Sequence, residues 1–500
     1  MKYLYGAAVQ GIQNFIFQTN KLKEIIGASE LVEEICTSKF KQMFEQTGNT
    51  YVESQCILHA AGNLKYIFDN KEECASIVRI FPKAVQEFAP GITLSQAVVE
   101  MSGEFEKFEN AVDELENRLR TQRNKPMRSS TLGLMGVERS RQTGLPVVSY
   151  DGSNHIDAGT RAKLYVDSGN QSKRTTLSLC RRAFGMSDIS DGQIAYDIEN
   201  ITQKNDWVAI IHADGNGLGR IVQAIGKNQT DFKDFSEKLD AATTAAAVDA
   251  FKFVKDRFND TRIPIRPIVL GGDDLTVICR ADIALDYVSC FIKSFETHTK
   301  FVKNYPNLGY DKLSACAGIA YIKSSFPFYY GYSLAETLCT QAKKDAKHNL
   351  ADRELPKSCL MFHKVQDSFT QDWDDIVERE LHPSDNVSFM FGPYYINEKK
   401  NGNRWLVDEL MDLAQKLDGA DGNVTKSHLR QWISLLYDNP EMAKQKKRRV
   451  LSITRMKNVV EKATTGVERR ENGVVTTTYP VYDLLVVNTI NNQITKEDAQ

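Results

Sequence analysis

The sequence predicts an α+β protein built from two ferredoxin-like units followed by a mainly helical C-terminal part. Three observations predict it. Residues 205–350 read in the order β-α-β-β-α-β-α, the first 125 residues repeat that order with poor identity, and beyond about 365 the apolar residues fall at helical spacing. The implied organisation is 1–125, 126–200, 201–360 and 361–500.

The first unit opens on the strand Tyr3–Val9, followed by a largely helical stretch from Lys21 to Phe44. Ile57–Ala60 and Leu64–Phe68 read as a hairpin around Ala61-Gly62-Asn63. Helices from Glu72 to Phe88 and Glu104 to Arg123 flank the strand Ile92–Val99. Residues 126–200 are polar and rich in Gly, Ser and Arg, which predicts an irregular link.

The second unit starts with Trp207–Ile211, a short apolar run that reads as a buried strand and breaks at Ala213-Asp-Gly-Asn-Gly-Leu-Gly219. An Ala-rich stretch from Phe235 to Phe258 predicts a helix. Ile265–Leu270, Gly271-Gly-Asp-Asp274 and Leu275–Cys279 read as two strands around a tight turn. A helix from Asp282 to Val302, the strand Leu313–Tyr321 and a helix from Ser333 to His348 complete the plan. In the last part Leu406, Leu410, Leu413, Ala414 and Leu417 share a helical face, with Asp418-Gly419 as its stop, and a second helix is expected from Ser427. Lys444–Arg449 is a basic run, read first as a solvated helix face and second as a contact for an RNA backbone.

Composition narrows the function. A chain of 500 residues with formal charge −2 has no overall basic field, so any nucleic-acid contact must come from local patches. No run approaches the roughly eighteen apolar residues of a membrane span, and Met-Lys-Tyr-Leu-Tyr-Gly does not resemble a signal peptide. The nine cysteines form no CxxC pair, which favours a reducing, cytoplasmic setting with buried thiols.

The chemistry sits in the second unit. In a ferredoxin-like sheet the end of the first strand lies beside the central hairpin, so Asp214 is expected to face Asp273 and Asp274. Three carboxylates on rigid, adjacent elements suit two Mg2+ or Mn2+ ions and nucleotidyl transfer. Gly271 and Gly272 let the hairpin turn bend and leave room for a triphosphate. The turn Gly215, Asn216, Gly217, Gly219 offers backbone N–H groups at a helix start, which suit phosphate oxygens. Lys343 and Lys347, four apart, share a face and are candidates for phosphate contacts. His212 is read as a packed strand residue, and the other histidines show no ligand spacing. In the first unit Gln10-Gly11 and Ala61-Gly62-Asn63 replace the acids, so that unit is expected to be catalytically silent, a structural element or a holder of a second nucleotide.

These motifs resemble the large polymerase-like subunit of type III CRISPR effector complexes, a family with two palm domains. Gly11-Ile-Gln-Asn-Phe-Ile-Phe17 with Leu22-Lys-Glu-Ile-Ile-Gly-Ala-Ser29 is similar to its first palm. Ala213–Gly219, Gly271–Asp274 and Ser333–Leu338 through Ala342-Lys343 are similar to its second. The last stretch, with Lys347-His-Asn349, is also similar to diguanylate cyclases. The resemblance implies metal binding by Asp214, Asp273 and Asp274 with the Gly215 carbonyl, phosphate binding by Lys343 and Lys347, and conversion of ATP into cyclic oligoadenylate. It implies guide-RNA effector subunits, target RNA and a downstream nucleotide-activated effector as partners. Two departures are expected to matter: no N-terminal nuclease domain precedes the first palm, and the region around Arg139–Pro146 lacks a cysteine pair, so no zinc is expected. Two rival readings are a non-catalytic ribonucleoprotein scaffold and a diguanylate cyclase.

Overall fold

The computed structural model describes residues 1–60, 62–125, 136–164, 178–202, 206–258, 262–305, 308–351, 354–367, 372–400, 403–471 and 474–492. The first palm comprises β1 (Lys2–Gln10), α1 (Ile12–Phe17), α2 (Leu22–Glu34), α3 (Phe40–Gln46), β2 (Cys56–Ala60), β3 (Asn63–Phe68), α4 (Lys71–Phe88), β4 (Thr93–Met101) and α5 (Phe108–Arg123). Its antiparallel sheet has the order β2-β3-β1-β4, the ferredoxin arrangement with the first strand in the middle. The expected helix from Lys21 is continuous except for one wider turn, Ile35–Lys39, between α2 and α3. Its core is aromatic, with Phe40 edge-on to Phe81 (5.3 Å) and Phe44 stacked on Phe68 (5.8 Å). Of the expected Ala61-Gly62-Asn63 turn, Ala61 lies outside the described residues.

Among the described residues the link is more ordered than its composition predicts. It contains a hairpin, β5 (Val147–Tyr150) with β6 (His155–Asp157), and two short helices, α6 (Ala158–Leu164) and α7 (Ser178–Phe184). Helices of seven residues are too short to declare a period in the sequence, yet α7 buries Leu179, Cys180, Ala183 and Phe184.

The second palm comprises β7 (Trp207–Gly215), α8 (Leu218–Ile225), α9 (Gln229–Val254), β8 (Ile265–Gly271), β9 (Asp274–Arg280), α10 (Ala284–His298), β10 (Ala315–Lys323), α11 (Phe328–Lys347) and β11 (Cys359–Lys364). After α12 (Trp373–Ile376) and β12 (Val387–Ser388), β13 (Tyr394–Tyr395) returns to this sheet. The order is β13-β11-β10-β7-β9-β8, and read from the β8 edge its first four strands, β8-β9-β7-β10, repeat the order of the first palm. Both palms are thus ferredoxin-like. Two helices start earlier than expected. α9 begins at Gln229, where the Asn228 side chain accepts from the Thr230 N–H (2.9 Å), and α11 begins at Phe328. The cap, and not the apolar period, marks the start of α9.

The C-terminal part holds α13 (Val407–Gln415), α14 (Gly419–Asp438), α15 (Pro440–Ile453), α16 (Lys457–Thr464), the hairpin β14 (Val467–Glu471) with β15 (Val474–Thr478), and α17 (Val481–Asn491). Asp418-Gly419 does end α13, but it also opens α14 eight residues before the expected Ser427. The first turns of α14 are small and polar, so no apolar signal marked them. Lys444–Arg449 lies along α15. No described helix is long and apolar enough to cross a membrane.

The face of the second sheet that carries Ile210, His212 and Asp214 is covered from two sides. On one half lies α11, so close that a Cβ on Gly318 would stand 1.9 Å from the Ala335 carbonyl oxygen and one on Gly331 would stand 2.7 Å from Ile210. On the other half lies the first palm: Ser29 donates to the Ile268 carbonyl, and Phe17 stacks on Tyr332 at 4.2 Å. Gln13 donates to Glu336 (2.9 Å) and to the Tyr332 hydroxyl (3.1 Å). Between these covers a cavity of 390 Å³ remains, lined by both palms and reaching Asp274.

Candidate active site between the two palms

Register places the acids side by side. In the antiparallel β7–β9 ladder His212 stands opposite Thr276 and Ala213 opposite Leu275, so the next pair along is Asp214 and Asp274. The β8–β9 hairpin closes with Gly271 paired to Asp274, leaving Gly272 and Asp273 as its two turn residues. Gly272 has φ +62, a left-handed conformation that a side chain strains, so glycine belongs here. The turn packs on the strand end: a Cβ on Gly215 would stand 3.0 Å from both the Cβ and Oδ2 of Asp273. The strand end and hairpin tip converge.

Two residues that the sequence reading passed over brace this turn from α9. Asp240 accepts from the Gly272 N–H (3.2 Å) and Thr243 donates to the Gly272 carbonyl (2.6 Å). Arg182 of α7 reaches both Asp240 (3.3 Å) and Glu33 of the first palm (2.6 Å). Nothing in a helical period distinguishes a braced aspartate from a solvated one, so only the fold identifies them.

Electrostatics mark the cluster. Burial pushes Asp273 well above the carboxylate range, and the neighbouring Asp274 and Asp214 carboxylates add to it. Burial, then Asp214, pushes Asp274 up to about 7, against the lowering effect of Lys343. Mutually repelling, half-buried acids are the donor set that hard divalent cations neutralise. The residues present therefore fit such ions. Lys343 donates to the Asp214 carboxylate and to the Gly215 carbonyl (3.0 Å); burial works against its charge, but Asp214 raises its pKa overall.

Not every candidate comes to the cluster. Lys347 lies exposed at the last position of α11. Asn216 is 1% exposed and turns its amide inward, donating to Ser314 Oγ (3.1 Å) and toward Cys316 Sγ (3.4 Å). Its side chain ties the strand end to the core. Gly217, at φ +73, turns the chain into α8; a Cβ on it would stand 3.0 Å from Leu355 Cδ2, whereas one on Gly219 would meet nothing within 4 Å among the described residues, so the opening of that helix lies at Gly219. His212, read as a packed strand residue, is 8% exposed and packs edge-on to Tyr332 at 5.7 Å. A ring nitrogen of His212 and carboxylate oxygens of Asp214 and Asp274 all lie within 4.8 Å of one another. The sequence signal was available: His212 and Asp214 are two apart on one strand and so share a face.

Residues 207–351 match the second palm domain of Cas10/Cmr2. This stretch is a Cas10-like second palm. No curated protein matches the sequence. Solved structures show the same fold across nearly its whole length. A chain of the Csm1–Csm4 cassette in complex with cA4 is 12% identical, with a TM-score of 0.59 over 98% of this chain and 70% of that one. The cassette in complex with one ATP is 12% identical, with a TM-score of 0.56 over 98% and 69%. The Csm1–Csm4 subcomplex in the type III-A CRISPR-Csm interference complex is 12% identical, with a TM-score of 0.57 over 98% and 70%. At that identity the likeness is one of fold, and the Cas10-like assignment gives the second palm its family.

Proposed function

We propose that the chain is a nucleotidyltransferase that joins ATP 3′ to 5′ into cyclic oligoadenylate, in type III CRISPR or related antiviral defence. The observation that carries this reading is the convergence of Asp214 with Asp273 and Asp274, the last of which lines a cavity walled by both palms. In the reaction the 3′-oxygen of one ATP bonds to the α-phosphorus of another, the bond to pyrophosphate breaks and one proton is released. Asp214, Asp273, Asp274 and the Gly215 carbonyl would hold two Mg2+ or Mn2+ ions, which lower the hydroxyl pKa and neutralise the triphosphate. Lys343 would exchange Asp214 for a phosphate oxygen, and the start of α8, open at Gly219, would receive phosphate at its N–H groups. Lys347, on the rim, would reach only the outer phosphates. The first palm, with Gln10 and Gly11 where the second has Asp214 and Gly215, would act as a wall of the nucleotide site through Gln13 and Ser29.

The solved complexes of the Csm1–Csm4 cassette with cA4 and ATP support the substrate class, and the cassette itself supports a Csm4-like partner subunit. Guide RNA, target RNA, a nucleotide-activated effector and a cytoplasmic setting complete the proposal. The test is incubation of the chain, alone and with its effector subunits, with Mg2+ or Mn2+ and labelled ATP, the products read by mass spectrometry. Absence of product under every condition, with wild type indistinguishable from Asp273→Asn, removes the reading.

A further inference from the structure

We propose that His212 is a nitrogen ligand of one of the two divalent cations, completing with Asp214 and Asp274 a mixed nitrogen–oxygen site that prefers Mn2+ to Mg2+. The inference rests on the metal-dependent reading above and deepens it, since three carboxylates alone would favour neither ion.

The geometry comes from the strand pair. His212 and Asp214 lie on one face of β7; His212 pairs with Thr276 on β9, and extending that register brings Asp274 beside Asp214. The donor atoms of His212, Asp214 and Asp274 span at most 4.8 Å, close to twice a metal–ligand bond of about 2.1 Å. The imidazole Nδ1 is engaged by the Thr276 hydroxyl at 3.3 Å. A ligating histidine characteristically donates its other ring N–H to a neighbouring oxygen, which fixes the tautomer and aims the lone pair. With Nδ1 held by Thr276, Nε2 is the nitrogen free to ligate. Tyr332 packs edge-on against the ring and limits its rotation, and the side chain is 8% exposed.

The chemistry of the donors sets the preference. Mg2+ favours an all-oxygen octahedral shell and dehydrates reluctantly, whereas a transition ion accepts imidazole readily. A histidine beside two aspartates therefore tilts that position toward Mn2+. Asp273, at the hairpin tip, is left to the second ion.

Pulsed EPR of the full chain loaded with Mn2+ tests this directly. Wild type should show the modulation of a directly bound 14N nucleus, replaced by the 15N pattern when histidine is isotopically labelled. His212→Gln should lose the nitrogen signal, bind Mn2+ at least about tenfold more weakly and yield the ion to a correspondingly smaller excess of Mg2+. The isotope exchange is read on wild type and so stands even if the variant folds poorly. Mn2+ that binds, depends on Asp274 (lost in Asp274→Asn) and shows no nitrogen coupling overturns the role of His212 and leaves the metal-site reading intact. No bound Mn2+ in wild type overturns both.

Discussion

The Lys343 ammonium lies on the Asp214 carboxylate and accompanies it with a hydrogen bond to the Gly215 carbonyl at 3.0 Å. One lysine thus engages both oxygens that the proposal assigns to a cation, and its departure must accompany metal entry. Lys343→Met should leave Mn2+ affinity unchanged or higher, because a competitor is gone. The same change should raise the KM for ATP about ten- to hundredfold, the loss of one charge-assisted hydrogen bond to phosphate. Parallel Mn2+ titration and steady-state kinetics separate the two effects. Weaker metal binding together with an unchanged KM would place Lys343 in the fold alone.

Asp273 is raised by burial, then by Asp274 and Asp214, and Asp274 by burial and then by Asp214. A ligand that binds only the folded cluster stabilises it by mass action, about 2.7 kcal/mol at one hundred times its Kd. Mg2+ or Mn2+ should therefore raise the Tm of wild type by several degrees and leave Asp274→Asn nearly unmoved. Turnover of ATP should fall at least about a hundredfold in that variant while its circular dichroism is retained.

Much of this was legible in the sequence because it is written in local chemistry. Asp214, Gly272, Asp273 and Asp274 occupy a strand end and a tight turn, where glycine and aspartate report backbone conformation as well as function. The two β-α-β-β-α-β orders could be read from runs of apolar residues. What stayed hidden depends on contacts distant in sequence. Asp240 and Thr243 are ordinary polar positions of α9 until β8 and β9 set the Gly272 turn against them. Asn216 was expected in the nucleotide turn, but Ser314 and Cys316 of the neighbouring strand region draw its amide inward. The early start of α14 at Gly419 was invisible because its first turns carry no apolar stripe.

Gly318 measures how closely α11 must approach the sheet. A methyl there would stand 1.9 Å from the Ala335 carbonyl oxygen and 2.5 Å from the Cys339 N–H nitrogen, both backbone atoms that cannot swing away. Gly318→Ala should push α11 off β10, lower stability by about 1–3 kcal/mol or more, and displace Lys343 from Asp214. Gly219→Ala, which meets nothing within 4 Å among the described residues, is the matched control and should melt like wild type. Equal melting of the two variants would contradict the packing argument.

Asp483 of α17 supplies a pH dependence away from the cluster. Burial pushes its carboxyl up to about 7, opposed by the Tyr394 hydroxyl (2.7 Å), Arg469 and the Gly392 N–H. Its unfolded value is near 3.8, so between the two values the folded chain holds a proton that the unfolded chain has released. Stability from this group is therefore fully present below about pH 4 and is lost as pH rises through about 7. Asp483→Asn removes the titration and keeps an acceptor for Tyr394. Between pH 5 and pH 8 wild type should lose about 5–10 °C more in Tm than the variant, corresponding to about 2–3 kcal/mol in a domain of ordinary size. Parallel pH profiles for the two proteins would show that Asp483 does not change its protonation on folding.

Arg182 joins three parts of the chain: α7 of the link, Glu33 of the first palm and Asp240 behind the Gly272 turn. If Asp240 aims the turn, its effect should reach catalysis through geometry and not through ligand charge. Asp240→Ala should lower kcat about tenfold or more with little change in the KM for ATP, because the brace on Gly272 is lost while the phosphate contacts remain. Asp240→Asn, which keeps an oxygen for the Gly272 N–H, should recover most of that loss. Arg182→Ala should fall between them, since it frees the Asp240 side chain without removing its acceptor. A loss in Asp240→Asn as large as in Asp240→Ala would mean that the charge of Asp240, and not its hydrogen bond to the turn, is what matters.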